Sequence, residues 1–143
     1  MITFQLVTLD GIKFGDAVHE VMLPTPDGYI AVFENHAPLV SIIVPGVISV
    51  RRKADDPDSK LEYFATAGGV LEILEHDKAV RVLVDEADKE DEVNEQEAEA
   101  AFKRAQELRS EAQDRVSLEH AQALVDRHAS RLKVAELRRR KHR

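Results

Sequence analysis

An N-terminal antiparallel β-sandwich followed by a C-terminal antiparallel α-helical hairpin, all-β then α, is what the residue pattern predicts, and three observations carry it. As far as residue 88, short runs of alternating apolar and polar side chains are separated by turn residues such as Asp10-Gly11 and Pro45-Gly46. Beyond that point Gly and Pro are absent and apolar residues recur every three or four positions. Charge divides the same way: residues 1–88 carry seven basic and fifteen acidic side chains, 89–119 five and ten, and 120–143 eight and two, so a cationic end of net +6 follows an anionic body.

The strand runs lie at 2–9, 12–14, 17–23, 29–33, 40–44, 47–53, 60–66, 70–75 and 79–84. Ile2, Phe4 and Leu6 share one strand face and Val80, Val82 and Val84 another, as burial with a period of two requires. Turns are placed at Asp10-Gly11, Pro24 to Gly28, Pro45-Gly46, Asp55 to Ser59 and His76-Asp77, whose residue types supply turn geometry. Gly68-Gly69 reads as a turn or bulge needing positive φ. Regular spacing of this kind predicts two packed antiparallel sheets.

In the second part Ala98, Ala101, Phe102, Ala105, Leu108 and Ala112 form one helical stripe, and Leu118, Ala121, Val125, Ala129 and Leu132 a second. Asn94 with Glu97 three residues on forms a capping box, so the first helix starts at Glu95. Asp114 to Ser117 connects the helices, with Ser117 as the cap of the second. Two domains follow, 1–88 and 89–143. Stripes rich in Ala let the helices approach closely but leave little core, so the hairpin is expected to pack weakly and be displaced easily.

Composition excludes more than it selects. The 143 residues contain 43% hydrophobic residues but no Cys and no Trp, which excludes a disulfide framework and a thiolate metal site. No run approaches the roughly 20 apolar residues that span a bilayer, and MITFQLVTLDG is too short and alternating for a leader. There is no phosphate loop, no HExxH pair and no GxSxG elbow, so no catalytic residue is assigned. His120 and His128 lie eight positions apart without a third ligand, and read as solvent-facing rather than metal-binding. His36, in a loop between strands, reads equally as a turn stabiliser and as a partner contact.

Three segments carry a family resemblance. GYIAVFENHAPL (28–39), PGVISV (45–50) and AGGVLEI (67–73) resemble, in order and spacing, the signatures of the epsilon subunit of F-type rotary ATP synthases, the homologue of the mitochondrial delta subunit. RLKVAEL (131–137) followed by a basic tail resembles the close of that family's second C-terminal helix. The resemblance implies a non-catalytic rotor subunit of the central stalk, peripheral to the cytoplasmic face of a bacterial plasma membrane. Its sandwich would bind the gamma subunit and sit on the membrane rotor ring of c subunits. Its hairpin would fold against the sandwich or extend toward the catalytic head subunits and inhibit ATP hydrolysis.

Carried over by position, the resemblance places the ring contact at Asp27, Gly28 and Tyr29, with His36 in the neighbouring loop. Ala31 replaces the usual Gly, Glu34 the usual Pro, and the Ala54 to Ser59 turn is longer than the family's. Some members bind ATP through an (I/L)DxxRA box and two second-helix arginines. Arg127 and Arg131 match the arginines, but Asn94 and Glu97 stand where the box has Asp and Arg, and a carboxylate repels a polyphosphate. The sequence therefore weighs against ATP and assigns no cofactor; the two arginines read as solvated surface charges. Arg138, Arg139, Arg140 and Lys141 form an arm that would hold the extended hairpin against an acidic surface of the head.

The bare pattern also fits a ligand- or protein-binding sandwich with a self-associating helical tail, which the placed motifs disfavour. A nucleic-acid binder using residues 138–143 is disfavoured by the acidic body and by the lack of stacking aromatics near the tail.

Overall fold

Alternation along the first 89 residues is resolved into ten strands, and residues 95–141 into two helices joined by a short connection, in a computed structural model that describes residues 1–76 and 78–142. Asp77 of the expected 76–77 turn and Arg143 of the basic tail lie outside the described residues. The strands are β1 Ile2–Thr8, β2 Gly11–Val18, β3 Glu20–Thr25, β4 Gly28–Val32, β5 Leu39–Ile43, β6 Gly46–Arg51, β7 Glu62–Thr66, β8 Gly69–Leu74, β9 Ala79–Val84 and β10 Ala87–Lys89. They form two five-stranded sheets, β2-β1-β9-β8-β5 and β10-β7-β6-β3-β4.

Each strand sends alternate side chains into the space between the sheets. Phe4, Leu6, Val80, Val82, Leu71 and Ile73 enter from the first sheet and Val21, Leu23, Val32, Ile48, Val50 and Phe64 from the second, all essentially buried. Phe14 closes one side by packing on Phe4 and edge-on against Phe64.

Several boundaries and one pairing differ from the sequence reading. β1 runs parallel to β9, with Phe4 opposite Val80 and Leu6 opposite Val82, so the first sheet is mixed rather than wholly antiparallel. Period-two burial reports which face a side chain takes and is blind to strand direction. The run 12–14 continues through Gly15 and Asp16 to Val18, because β2 pairs with β1 from Gly11 to Val18 with one register shift that leaves Lys13 unpaired. β10, which the apolar pattern missed, pairs with β7 from Ala87 to Lys89, so residue 88 falls inside a strand and the division comes after it.

Only Gly68 of the Gly68-Gly69 pair has positive φ, at 120°. Gly69 is a ladder residue between Ile43 and Val84. A Cβ there would run into the carbonyl oxygen of Leu83 and approach the Val84 Cα to 2.9 Å.

The helices are α1 Glu95–Glu111 and α2 Arg115–Lys141. Asn94 caps α1 as its sequence implies, accepting from the Glu97 amide at 2.9 Å. The cap of α2 is Asp114 and not Ser117. Asp114 accepts from both the amide (2.7 Å) and the hydroxyl (3.1 Å) of Ser117, which hold its carboxyl below the usual carboxylate range. A carboxylate outcompetes a hydroxyl for the free N–H groups of a first turn, and the helix begins three residues earlier than expected.

The helices meet through Ala98, Ala105, Ala121 and Val125, and the second half of α2 then crosses the outer face of the second sheet. There Val134 and Ala135 join Val47, Tyr63, Ala65, Val93 and Ala98 in a second core, flanked by Leu61, Leu132 and Leu137. The hairpin is therefore anchored more firmly than its Ala-rich stripes suggest, because the sandwich provides the large side chains.

Backbone crowding at Gly69 has a direct consequence. Gly69→Ala should lower the unfolding free energy by about 2–3 kcal/mol through overpacking against β9, whereas Gly15→Ala, whose Cβ meets only a side-chain methyl at 3.5 Å, should change it by less than about 1 kcal/mol; urea midpoints of the two variants check this.

Candidate functional site

Between β3 and β4 the chain turns at Pro26-Asp27, with the Thr25 hydroxyl donating to the Gly28 carbonyl at 2.6 Å. Asp27 and Gly28 are exposed at the tip. Tyr29 is 55% exposed, and its hydroxyl accepts from the Val47 amide at 3.1 Å, which ties the turn to the Pro45-Gly46 corner.

His36 is not beside them. It follows the far end of β4, and the five residues of that strand separate the two loops by about 13 Å. Its amide donates to the Phe33 carbonyl, and its Nδ1 lies 2.7 Å from the Ala37 carbonyl. These bonds close its own loop, where Glu34 pairs with the N-terminal amine at 2.8 Å and with Lys78 at 3.5 Å. The four residues assigned together by the resemblance therefore lie at the two ends of β4, which runs between them as the strand expected at 29–33.

Arg127 and Arg131 do lie on one face of α2, but they face the sandwich. Arg127 Nε stands 2.8 Å from Glu86 and Arg131 Nε 3.4 Å from Asp88, and Arg131 is 9% exposed. Neither Nε–H points along a hydrogen bond, so both are charge contacts without alignment. The reading of solvated surface charges is corrected for Arg131: packing of α2 on the sheet buries it beside Asp88 of β10. Among the described residues no group of three or more His, Asp or Glu could hold a metal ion.

His128, expected at the surface, is half-buried, with Nδ1 3.3 Å from Arg131. Burial first, then the positive charges of Arg131, Arg127 and Arg104, hold its pKa below the usual 6.5, against a weaker opposite pull from Asp88.

The basic end of α2 is engaged inside the chain. Lys141 Nζ pairs with Glu90 at 2.6 Å, donates to the Leu61 carbonyl at 2.5 Å and stands 5.3 Å over the Tyr63 ring. Arg138 donates to the carbonyls of Glu90 and, at 2.8 Å, Val93. Arg139 pairs with Glu95 at 3.2 Å, and Arg140 with Glu136 on its own helix at 2.5 Å.

One candidate surface was missed by motif reading. Across the outer face of the first sheet, Ile42 pairs with Val70, Val70 with Leu83, Leu83 with Val7 and Val7 with Ile12. These five side chains make an apolar stripe over all five strands, with Ile42 61%, Val70 47%, Leu83 56% and Ile12 70% exposed. A polar row of Glu72, Arg81 and Gln5 borders it, with Arg81 donating to Gln5 at 3.3 Å. The available signal was that β5 and β8 carry apolar residues on both faces, although one face of a sheet is free of the core. A continuous exposed row of this size marks an interaction surface.

Fold and surfaces together define a β-sandwich adaptor: one outer face is covered by the chain's own hairpin and the other is apolar and open. The family described as ATP synthase, Delta/Epsilon chain, beta-sandwich domain matches residues 1–90. The chain belongs to this family, as an epsilon subunit of F-type ATP synthase, a non-catalytic member of that assembly. It is 32% identical over 142 residues to the ATP synthase epsilon chain of Chloroflexus aggregans, covering 99% of this chain and 97% of that one. It is 30% identical over 139 residues to that of Herpetosiphon aurantiacus, covering 96% of each. The fold is also similar to a chain in the Euglena gracilis mitochondrial ATP synthase OSCP/F1/c-ring structure (TM-score 0.77, 18% identity, 94% of this chain and 81% of that one). A chain in the Tetrahymena thermophila mitochondrial ATP synthase central stalk/c-ring structure matches at TM-score 0.60 and 13% identity, over 92% of this chain and 96% of that one.

The lowered pKa of His128 fixes the sign of a pH effect. An unfolded chain takes up this proton near pH 6.5 while the folded one resists it, so stability is full above that value and falls as pH drops through it. Between pH 7.5 and 5.5, His128→Asn should lose less thermal stability than the unsubstituted chain; equal losses in paired calorimetric scans would remove His128 from the effect.

Proposed function

We propose that this chain is a central-stalk rotor subunit that couples the membrane rotor ring to the catalytic head of a proton-translocating ATP synthase. Its exposed stripe carries the proposal. Five apolar side chains in a row across a sheet, bordered by a polar row, suit a permanent apolar partner, and the gamma subunit is the partner assigned to it. The Asp27-Gly28-Tyr29 turn is assigned to the rotor ring, being an exposed tip held from behind by the Tyr29–Val47 bond. His36, at the other end of β4, is assigned to its own loop rather than to that contact.

No helix among the described residues is long and apolar enough to cross a membrane, so attachment to the cytoplasmic face of a bacterial plasma membrane would come through the complex. The hairpin is the proposed regulatory part, inhibiting hydrolysis when it leaves the sandwich and reaches the head. In the folded arrangement Arg138, Arg139 and Lys141 are occupied by this chain, so an inhibitory role of the arm requires their release first. ATP is not proposed as a ligand: Arg127 and Arg131 face Glu86 and Asp88, and Glu97 adds a further carboxylate near the start of α1.

A pull-down with the gamma subunit tests the docking face. Leu83→Lys should weaken binding about 100-fold, some 2.7 kcal/mol, with the thermal midpoint of the isolated subunit nearly unchanged because Leu83 is exposed. Removal of residues 95–143 should leave gamma binding in place and raise ATP hydrolysis by the assembled complex. Undiminished binding of the Leu83 variant would move the interface to another face, and unaltered hydrolysis after truncation would remove the hairpin from regulation.

A further inference from the structure

The contacts along α2 are unequal. Toward its middle, Arg127 and Arg131 face carboxylates without aligned hydrogen bonds, and near its end Arg139 and Glu95 pair in a solvated position. The Arg127 and Arg139 pairs are partly exposed and contribute little, and Arg131, though buried, meets Asp88 only at 3.4 Å and without alignment. In the last turn the pair is both desolvated and aligned: Lys141 donates to Glu90 at 2.6 Å, their side chains are 11% and 15% exposed, and the ammonium also reaches a carbonyl and an aromatic face. Arg138 grips the same short segment through the carbonyls of Glu90 and Val93. Glu90 to Val93 is the connection between the domains, running from β10 to the Asn94 cap. Both cations also sit at the helix end where positive charge is favoured.

We propose that the last turn of α2 is a lock: Lys141 and Arg138, by binding the connection between the domains, hold the hairpin on the sandwich, and losing that grip frees the hairpin as a unit with both domains folded. The inference rests on the reading of the hairpin as a movable regulatory part. It reverses the expectation for the basic arm, whose charges here stabilise the folded arrangement.

Two physical features support a lock rather than general adhesion. Glu90 Oε2 is buried and unpartnered, so Lys141 is the cation that makes the buried carboxylate tolerable, and removing it leaves an uncompensated charge. The apolar contacts that remain centre on two small helix side chains, Val134 and Ala135, against Val47, Tyr63 and Ala65, with Leu132 and Leu137 only partly buried beside them. Each helix keeps its own cap at Asn94 or Asp114, independent of the last turn.

The test uses the full isolated chain. With no native cysteine, spin labels attach only at Leu9→Cys and Val116→Cys, both exposed, one on the sandwich and one near the hairpin tip. Lys141→Met and, separately, Glu90→Gln should each raise the population with long inter-label distances at least tenfold. Lys141→Arg should change it less than threefold, and so should Arg115→Gln, whose pair with Glu119 lies on the exposed part of α2. Helix content by circular dichroism should stay constant. Tyr63, buried beneath the helix with its phenol pushed above the usual range by that burial, should titrate closer to its ordinary value in the released variants. Distances unchanged in both Lys141→Met and Glu90→Gln would overturn the proposal, as would release accompanied by loss of helix in both. Because no partner is present, either result leaves the gamma-binding test of the stalk reading unaffected.

Discussion

The packing of α2 across β6 and β7 is the contact on which the remaining surfaces depend. Val134 and Ala135 cover Val47, Tyr63 and Ala65, which would otherwise form a second exposed apolar face. With that face closed by the chain itself, the stripe from Ile42 to Ile12 is left as the open one. A two-sheet sandwich has two outer faces, and giving one to an internal helix and one to a partner avoids the aggregation that two open faces would invite.

Charge then decides how α2 sits. The outer edge of the sandwich and the segment that follows supply Glu86, Asp88, Glu90 and Glu95, and α2 answers with Arg127 for Glu86, Arg131 for Asp88, Lys141 for Glu90 and Arg139 for Glu95. Matching of this kind sets register and direction more than it adds stability, since exposed pairs contribute at most about 1 kcal/mol each. A helix whose buried side chains are mostly small needs such matching, because small side chains slide past one another at little cost. The Lys141–Glu90 pair, at the inter-domain connection, is the most desolvated of the four, so control of the hairpin is concentrated at its base.

A second ionic group serves the sandwich itself. Arg51 reaches Glu20, Asp58 and the Asp56 carbonyl, while Arg52 reaches Asp16 and Glu62 and lies 4.8 Å over the Phe14 ring. These contacts fasten the Ala54 to Ser59 turn against β2, β3 and β7, so it is a braced corner instead of a loose loop.

The sequence by itself determined the class of each segment: strands to residue 84, helices from Glu95, the Asn94 cap and the inward set Ile2, Phe4, Leu6, Val80, Val82 and Val84. These follow from local rules, because a period of two or 3.6 and a cap three residues from its acceptor are all written within a few positions. Signatures around residues 28–39, 45–50 and 67–73 also made the family legible. Only the tertiary structure decided that β1 runs parallel to β9, that Tyr29 and His36 stand at opposite ends of β4, that Arg131 is buried against Asp88, and that Lys141 meets Glu90 from 51 positions away. It also assembled the stripe, one residue from each of five strands. Each of these is a juxtaposition of residues far apart along the chain, set by sheet order and by where the hairpin lands, and local pattern carries no record of either.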